Sequence, residues 1–279
     1  MTTSENRFTA IVLAGDRGPD DPLIVASSTL LKKPIQSKAM IPVGGRPMLF
    51  RVLDALLAAE TIDKIILSGP PDSIIKESPE LQQYLTNPVL SWQENDTTPS
   101  RSAYRALKSL PENRKILLTT ADHALIKPEI IDFFCRQAQN KDTDVVVGME
   151  DYKLLQQAYP ESKRTVTRFK DGEFCSCNLF AFLSPQGRSA ADFWQQVEKE
   201  RKKPLRLISL CGWLTVLNYL LRRLTLTQAL LNLAKKMDLT AGVVMLPFPE
   251  AAIDVDKIAD LELVNRIIAE NNELSNLAK

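Results

Sequence analysis

Apolar and polar residues fall in blocks along the chain, and the blocks predict a regular succession of strands and helices. Residues 8–13 form a short apolar run that stops at Ala14-Gly15, the pattern of a buried strand bounded by a turn. After a long loop of mixed polarity, Pro47 opens a helical pattern through Ala59, with proline at a tolerated first-turn position. Residues 64–68 read as the next strand, closed by Gly69-Pro70-Pro71. Helical segments near 79–85 and 100–110 flank a short strand around 89–92. Residues 114–120 form another buried strand with the 128–139 helix behind it, and strands at 144–148 and 177–183 continue the pattern. Alternation at this spacing predicts an α/β fold, a Rossmann-like three-layer α/β/α sandwich around a mostly parallel, mixed sheet. Ligands of such sheets bind beyond the carboxyl ends of the strands, so chemistry is expected after Leu13, after Thr120 and at a late strand end.

From about Ser189 to Met237 the alternation gives way to a helical insertion. It holds Arg201-Lys202-Lys203-Pro204, a leucine-rich stretch over 205–221, and Arg222-Arg223. Arg206, Ser209, Thr215 and Asn218 interrupt the stretch, which makes it a poor membrane span. Its cationic flanks suit an interfacial helix in peripheral membrane contact through residues 201–223; the same pattern suits a helix hairpin covering the sheet, or a homodimer contact. No repeat or linker divides the chain, so residues 1–279 are expected to form one domain carrying the insertion at about 189–237.

Composition narrows the classes further. With 279 residues, 44% of them hydrophobic, the chain has ample material for a core, and disorder, collagen and a disulfide scaffold are excluded. Lys+Arg 35 against Asp+Glu 34 leaves a net charge of +1, so no global field recruits nucleic acid. Four cysteines are too sparse for a disulfide framework, and residues 1–8 lack the apolar stretch of a signal peptide; both predict a cytoplasmic protein.

The candidate chemistry sits at the expected strand ends. After the first strand the chain reads Leu13-Ala14-Gly15-Asp16-Arg17-Gly18, where glycines let backbone N–H groups approach a phosphate and Arg17 and Lys38 would neutralise its charge. The spacing matches neither the dinucleotide fingerprint nor the P-loop, and a tight turn followed by a solvated basic loop would read the same. Asp122 closes the 116–120 strand. On a strand, Asp254 and Asp256 would share one face, where a divalent cation would relieve their repulsion. Asp256 would equally serve as a helix N-cap, and Asp260 reads as a structural first-turn acid. Ser102 lies in the first turn of a helix, His123 is the single histidine, and Cys175 and Cys177 have no partner pair at zinc spacing and read as core thiols.

The segment Lys38-Ala39-Met40-Ile41-Pro42-Val43-Gly44-Gly45-Arg46-Pro47-Met48-Leu49, following a Leu-Ala-Gly strand end, resembles the MobA-like NTP transferases, nucleotidyltransferases with a glycosyltransferase-A-type fold. Two more segments are similar to that family: Ile116-Leu117-Leu118-Thr119-Thr120-Ala121-Asp122, and Ala252-Ile253-Asp254-Val255-Asp256-Lys257-Ile258-Ala259-Asp260-Leu261, which is similar to its D-x-D-T-P-x-D-L signature. The resemblance implies that Leu13, Ala14, Gly15, Arg17, Lys38 and Ser102 bind the nucleotide, with Lys38 on its phosphates and Ser102 near its base. It implies catalytic roles for Lys38, Arg17 and Asp122, and Mg2+ on Asp122, Asp254 and Asp256. Arg17 departs from the pattern, standing only two residues after Gly15 where the family has a longer glycine-rich loop. Asn178-Leu179-Phe180 would correspond to the acceptor-side strand. The implied reaction moves NMP from an NTP, with CTP and GTP both plausible, to a phosphorylated small-molecule acceptor and releases pyrophosphate. A glycosyltransferase using an NDP-sugar, or a noncatalytic nucleotide-binding scaffold, are the alternatives. Acceptor specificity is expected in the 189–237 insertion; if its apolar face lines a pocket, the acceptor carries a large apolar group.

Overall fold

In the computed structural model, which describes residues 7–16, 18, 20–198 and 213–277, the first apolar run lies at the centre of an eight-stranded sheet. This strand, β1 (Phe8–Leu13), is buried at every position. Parallel neighbours flank it, β4 (Ile62–Ser68) on one side and β6 (Ile116–Thr120) on the other, with β5 (Leu90–Gln93) beyond β4. Past β6, the long strand β9 (Gly172–Phe182) runs antiparallel to both β6 and β7 (Val145–Asp151). The edge strand β10 (Ala241–Met245) pairs parallel with β7, and β8 (Thr167–Phe169) folds back as a hairpin on β9. A separate two-stranded ribbon joins β2 (Pro42–Val43) and β3 (Arg46–Pro47).

Helices cover both faces, giving the expected three layers. On one face, α2 (Met48–Ala58), α6 (Pro128–Gln139) and α11 (Ile258–Leu277) bury Leu53, Phe134 and Val264 against the sheet. On the other, α5 (Pro99–Lys108), α8 (Ala190–Val197) and α10 (Leu226–Lys236) pack through Ala103, Ala106, Ala191 and Ala234. Small residues on this face let the helices approach the strands closely. Arg188 is buried beside the end of α5, where it donates to the carbonyls of Leu107, Leu110, Pro111 and Arg114. A cation there satisfies carbonyls that have no helical partner.

Several elements differ from the sequence expectation. Part of the loop after β1 is a helix, α1 (Pro22–Leu31), opened by Asp21 capping Leu23 N–H and by Pro22 in its first turn. Its apolar and small side chains have no polar face, so no helical period marks it. The short helix α3 (Asp72–Glu77) precedes the expected α4 (Pro79–Leu85), and α7 (Tyr152–Ala158) follows β7 directly. Strand β9 starts five residues before the expected position, because its polar outward residues Glu173 and Ser176 hide the run. The segment bearing Asp254 and Asp256 forms no strand. Of the insertion, α8, α9 (Trp213–Leu220) and α10 are described, while residues 199–212, with the 201–204 basic cluster, lie outside the described residues. Among the described residues no helix is long and apolar enough to cross a membrane.

Candidate active site

Three parallel strands end level with one another: Leu13 of β1 is in register with Ser68 of β4 and with Thr120 of β6. The chain beyond them stays knitted together. Ala14 N–H donates to Ser68 O at 2.8 Å and Ala121 N–H to Leu13 O at 3.0 Å. Gly69 follows β4 with φ +82°, and a Cβ there would stand 2.8 Å from the Gly15 nitrogen. Glycine is needed at this position for its conformation and for the close approach of two backbones. Gly15 in turn leaves room for Asn95, whose Cβ a Gly15 Cβ would meet at 2.9 Å. The 13–16 backbone thereby forms the floor of a cleft and the 95–99 segment one of its edges. Ser102 ties that edge down, its Oγ accepting from Asp96 N–H at 2.8 Å.

Lys38 returns to the strand end 22 residues after Asp16, whose Oδ1 accepts from Lys38 N–H at 2.7 Å. Burial pushes the Asp16 carboxyl up, and the backbone N–H of Lys38 opposes that shift. The Lys38 ammonium lies 2.6 Å from Asp122 Oδ2 and 2.7 Å from Asp256 Oδ1. Burial opposes the charge on Lys38, but the two carboxylates outweigh it and hold the ammonium above the ordinary lysine range. Burial likewise opposes ionisation of Asp122, yet the Lys38 charge prevails and its carboxyl lies below the usual value. Thr120 Oγ1 donates to Asp122 Oδ1 at 2.6 Å and fixes the rotamer. Val255 N–H donates to Asp122 O at 3.0 Å, which binds the C-terminal segment to the end of β6.

Asp254 faces a different set of partners. Arg164 Nη1 pairs with its Oδ1, Arg164 Nη2 donates to its carbonyl at 2.7 Å, and Asn178 Nδ2 donates to its Oδ2 at 2.8 Å. Burial pushes Asp254 up to about 6, with the Asp122 charge adding to the shift and Arg164 opposing it. Asn178 adopts φ +51° in β9, beside a register irregularity between β7 and β9. Asp260 Oδ2 accepts from the Asp256 and Lys257 N–H groups, both at 3.1 Å, and so closes the start of α11.

Two carboxylate oxygens therefore converge on one point, held here by an ammonium. Magnesium commonly takes one or two carboxylates and completes its shell with substrate phosphates, so Asp122 and Asp256 fit such an ion. The carboxylate of Asp254 is engaged by Arg164 and Asn178, and the structure does not bring it onto the same point. Among the described residues no three acidic, histidine or cysteine side chains form a ready metal cluster.

The cleft measures about 890 Å³ and is lined by Leu13, Ala14, Gly15, Lys38, Ser102, Asp122, Asp254 and Asp256. Arg17 lies outside the described residues. His123 is buried and does not line the cleft; burial pushes its imidazole down to about 4, which leaves the ring neutral. Cys175 and Cys177 are buried free thiols. Asp16, Thr120 and Arg164 escaped the sequence reading. Asp16 had a signal, its place directly after Gly15, whereas Arg164 stands in a polar loop without periodicity.

The chain is 27% identical to a hypothetical transferase from Thermus thermophilus, with a TM-score of 0.73 over 91% of this chain and 99% of that one. It shares its fold with 4-diphosphocytidyl-2C-methyl-D-erythritol synthase from Anaerococcus prevotii at 17% identity and TM-score 0.55, covering 95% of this chain and 99% of that one. A nucleotidyl transferase from Methanothermobacter is likewise similar in fold, at 14% identity and TM-score 0.56 over 95% and 99% of the two chains. No curated protein matches the sequence. The profile of the MobA-like NTP transferase domain matches residues 10–206, the stretch that contains the β1 loop, Lys38, Ser102 and Asp122, and the chain belongs to that nucleotidyltransferase family.

Proposed function

We propose that the protein transfers a nucleoside monophosphate from an NTP to a phosphorylated small-molecule acceptor and releases pyrophosphate. The observation that carries this reading is the Lys38 ammonium set between Asp122 and Asp256, at a cleft floored by the backbone after β1. Lys38 and the 13–16 backbone hold the triphosphate, whose oxygens compete with the two carboxylates for the ammonium. Arg17, in the same loop, supplies a second cation. The acceptor phosphate is ionised at neutral pH, so it attacks the α-phosphorus without a general base as the bond to pyrophosphate breaks. The contribution of the chain is then positioning and charge stabilisation. Asp122 and Asp256 would hold Mg2+, which when bound offsets charge on the phosphate oxygens. The 95–99 edge and Ser102 face the base, with CTP and GTP as the donors to try first.

The test is pyrophosphate release from CTP, GTP, ATP and UTP, each with and without magnesium, against a panel of sugar and alcohol phosphates. Release that depends on both one nucleotide and an acceptor is the expected result. Release of nucleoside diphosphate from an NDP-sugar would replace this reading by glycosyl transfer. Absence of nucleotide binding and turnover throughout would overturn both.

A further inference from the structure

The cleft has two chemically different walls. One carries the charged groups around Lys38 and Asp122. The other is built by β9 and the insertion: Phe180 on β9, Trp194 on α8, and Leu226, Leu230 and Leu233 on α10. Positions 226, 230 and 233 follow the i, i+4, i+7 spacing and form one stripe of α10. Ala234 and Leu226, at the buried edge and the start of this stripe, anchor the helix to the core. Leu230 and Leu233 remain only half-buried and are turned to the cleft.

A triphosphate and a ribose offer this leucine stripe no complement, and the hydroxyls of a sugar would lose water against it without gaining partners. The second substrate of a nucleotidyl transfer has to enter the same cleft with its phosphate at the charged wall. We infer that the acceptor is the phosphate monoester of a predominantly apolar alcohol, its hydrocarbon part lying along Leu226, Leu230 and Leu233 and its phosphate turned toward Lys38 and Arg164. This assignment of substrate class rests on the nucleotidyl-transfer reading and extends it. The occupant of the apolar wall is the substrate rather than a partner helix, because the wall is continuous with the charged one inside a single cavity.

The experiment is calorimetric titration of the full-length protein with n-butyl, n-hexyl and n-octyl phosphate below their micellar concentrations. Affinity is expected to rise roughly fourfold for each added methylene, the increment for burying one such group. The double substitution Leu230→Asn with Leu233→Asn is expected to flatten the series. Should that variant not fold, Ala229→Phe on the same helix narrows the wall and is expected to weaken octyl phosphate while sparing butyl phosphate. A flat series in the wild type overturns the proposal. A slope that survives a folded variant, or an equal slope with alkyl trimethylammonium ions, overturns it as non-specific binding. Pyrophosphate release with a sugar phosphate beside a flat alkyl series leaves the transferase reading standing without this one. A steep alkyl series without pyrophosphate release from any nucleotide retains the apolar site and removes the transfer.

Discussion

The two walls of the cleft are built on different principles. The charged wall hangs from the ends of β1, β4 and β6, where backbone bonds such as Ala14 to Ser68 and Ala121 to Leu13 leave little freedom. The apolar wall comes from helices appended beyond β9, held by side-chain packing through residues such as Ala234 and Leu226. Directional bonds fix charges to fractions of an ångström, as phosphoryl chemistry demands. Packing of leucines fixes a shape and a polarity and tolerates exchange of one apolar residue for another. On the proposed reading, reaction and selectivity reside in separately supported halves of one site.

The sharpest way to break this division is Lys38→Ala. It removes the ammonium that pairs with both Asp122 and Asp256. Loss of a single preorganised charge-stabilising group lowers turnover by about 10²–10³-fold, and kcat/KM for pyrophosphate release is expected to fall by that order. Unchanged kcat/KM would take Lys38 out of the reaction. Gly69→Ala attacks the same wall through the backbone. Its φ of +82° and the 2.8 Å approach to Gly15 both penalise a methyl group. Thermal unfolding is expected to report a loss of about 1–3 kcal/mol, the usual cost of forcing such a conformation. Nucleotide binding should weaken alongside, whereas a wild-type melting curve would mean that the β1 loop has slack to give.

The charged wall was also the more legible half. β1, α4 and α6 have the boundaries expected for them because turn residues or prolines mark their ends. The alternation around Asp254 and Asp256 was readable although no strand forms there. Ile253 and Val255 are wholly buried while Asp254 and Asp256 keep some exposure, although the two acids meet different partners. α1 was not readable, since its ten residues have no polar face to set a period. Nor was β10, five residues of weak pattern whose place depends on pairing with β7. Arg164 belongs to the same class: it is 90 residues from Asp254 along the chain, and only the finished fold brings the two together.

Glu150 offers a smaller test, through pH. It is fully buried on β7, where its Oε2 accepts from Ala252 N–H at 3.0 Å and so steadies the segment leading to Asp254. Burial pushes its carboxyl up to about 8. Because the folded-state value lies above the unfolded one, the protonated form stabilises the fold fully below the ordinary glutamate range. That contribution is lost as pH rises through 8. Glu150→Gln keeps an acceptor for Ala252 and cannot ionise. Its stability is expected to be flatter between pH 5 and 9, with an advantage over wild type at the alkaline end on the order of 1–3 kcal/mol. Parallel stability curves for the two proteins would show that Glu150 ionises without cost in the fold.

The smallest expected effect lies where the two walls meet, at Asn178, which shares strand β9 with Phe180 of the apolar wall. Its side chain donates to Asp254 Oδ2, and its backbone holds φ +51°. Asparagine tolerates this left-handed conformation better than most residues, and glycine tolerates it freely. Asn178→Gly therefore removes the hydrogen bond and leaves the backbone relaxed, while Asn178→Ala removes the bond and adds strain of roughly 1 kcal/mol. Melting curves are expected to rank wild type and Asn178→Gly close together, with Asn178→Ala below both. In turnover the two variants should fall together, by about 3–10-fold, because each leaves one Asp254 oxygen without its donor. Turnover that followed stability instead, with Asn178→Gly fully active, would make Asn178 a backbone device of the β9 irregularity and leave Arg164 alone to orient Asp254.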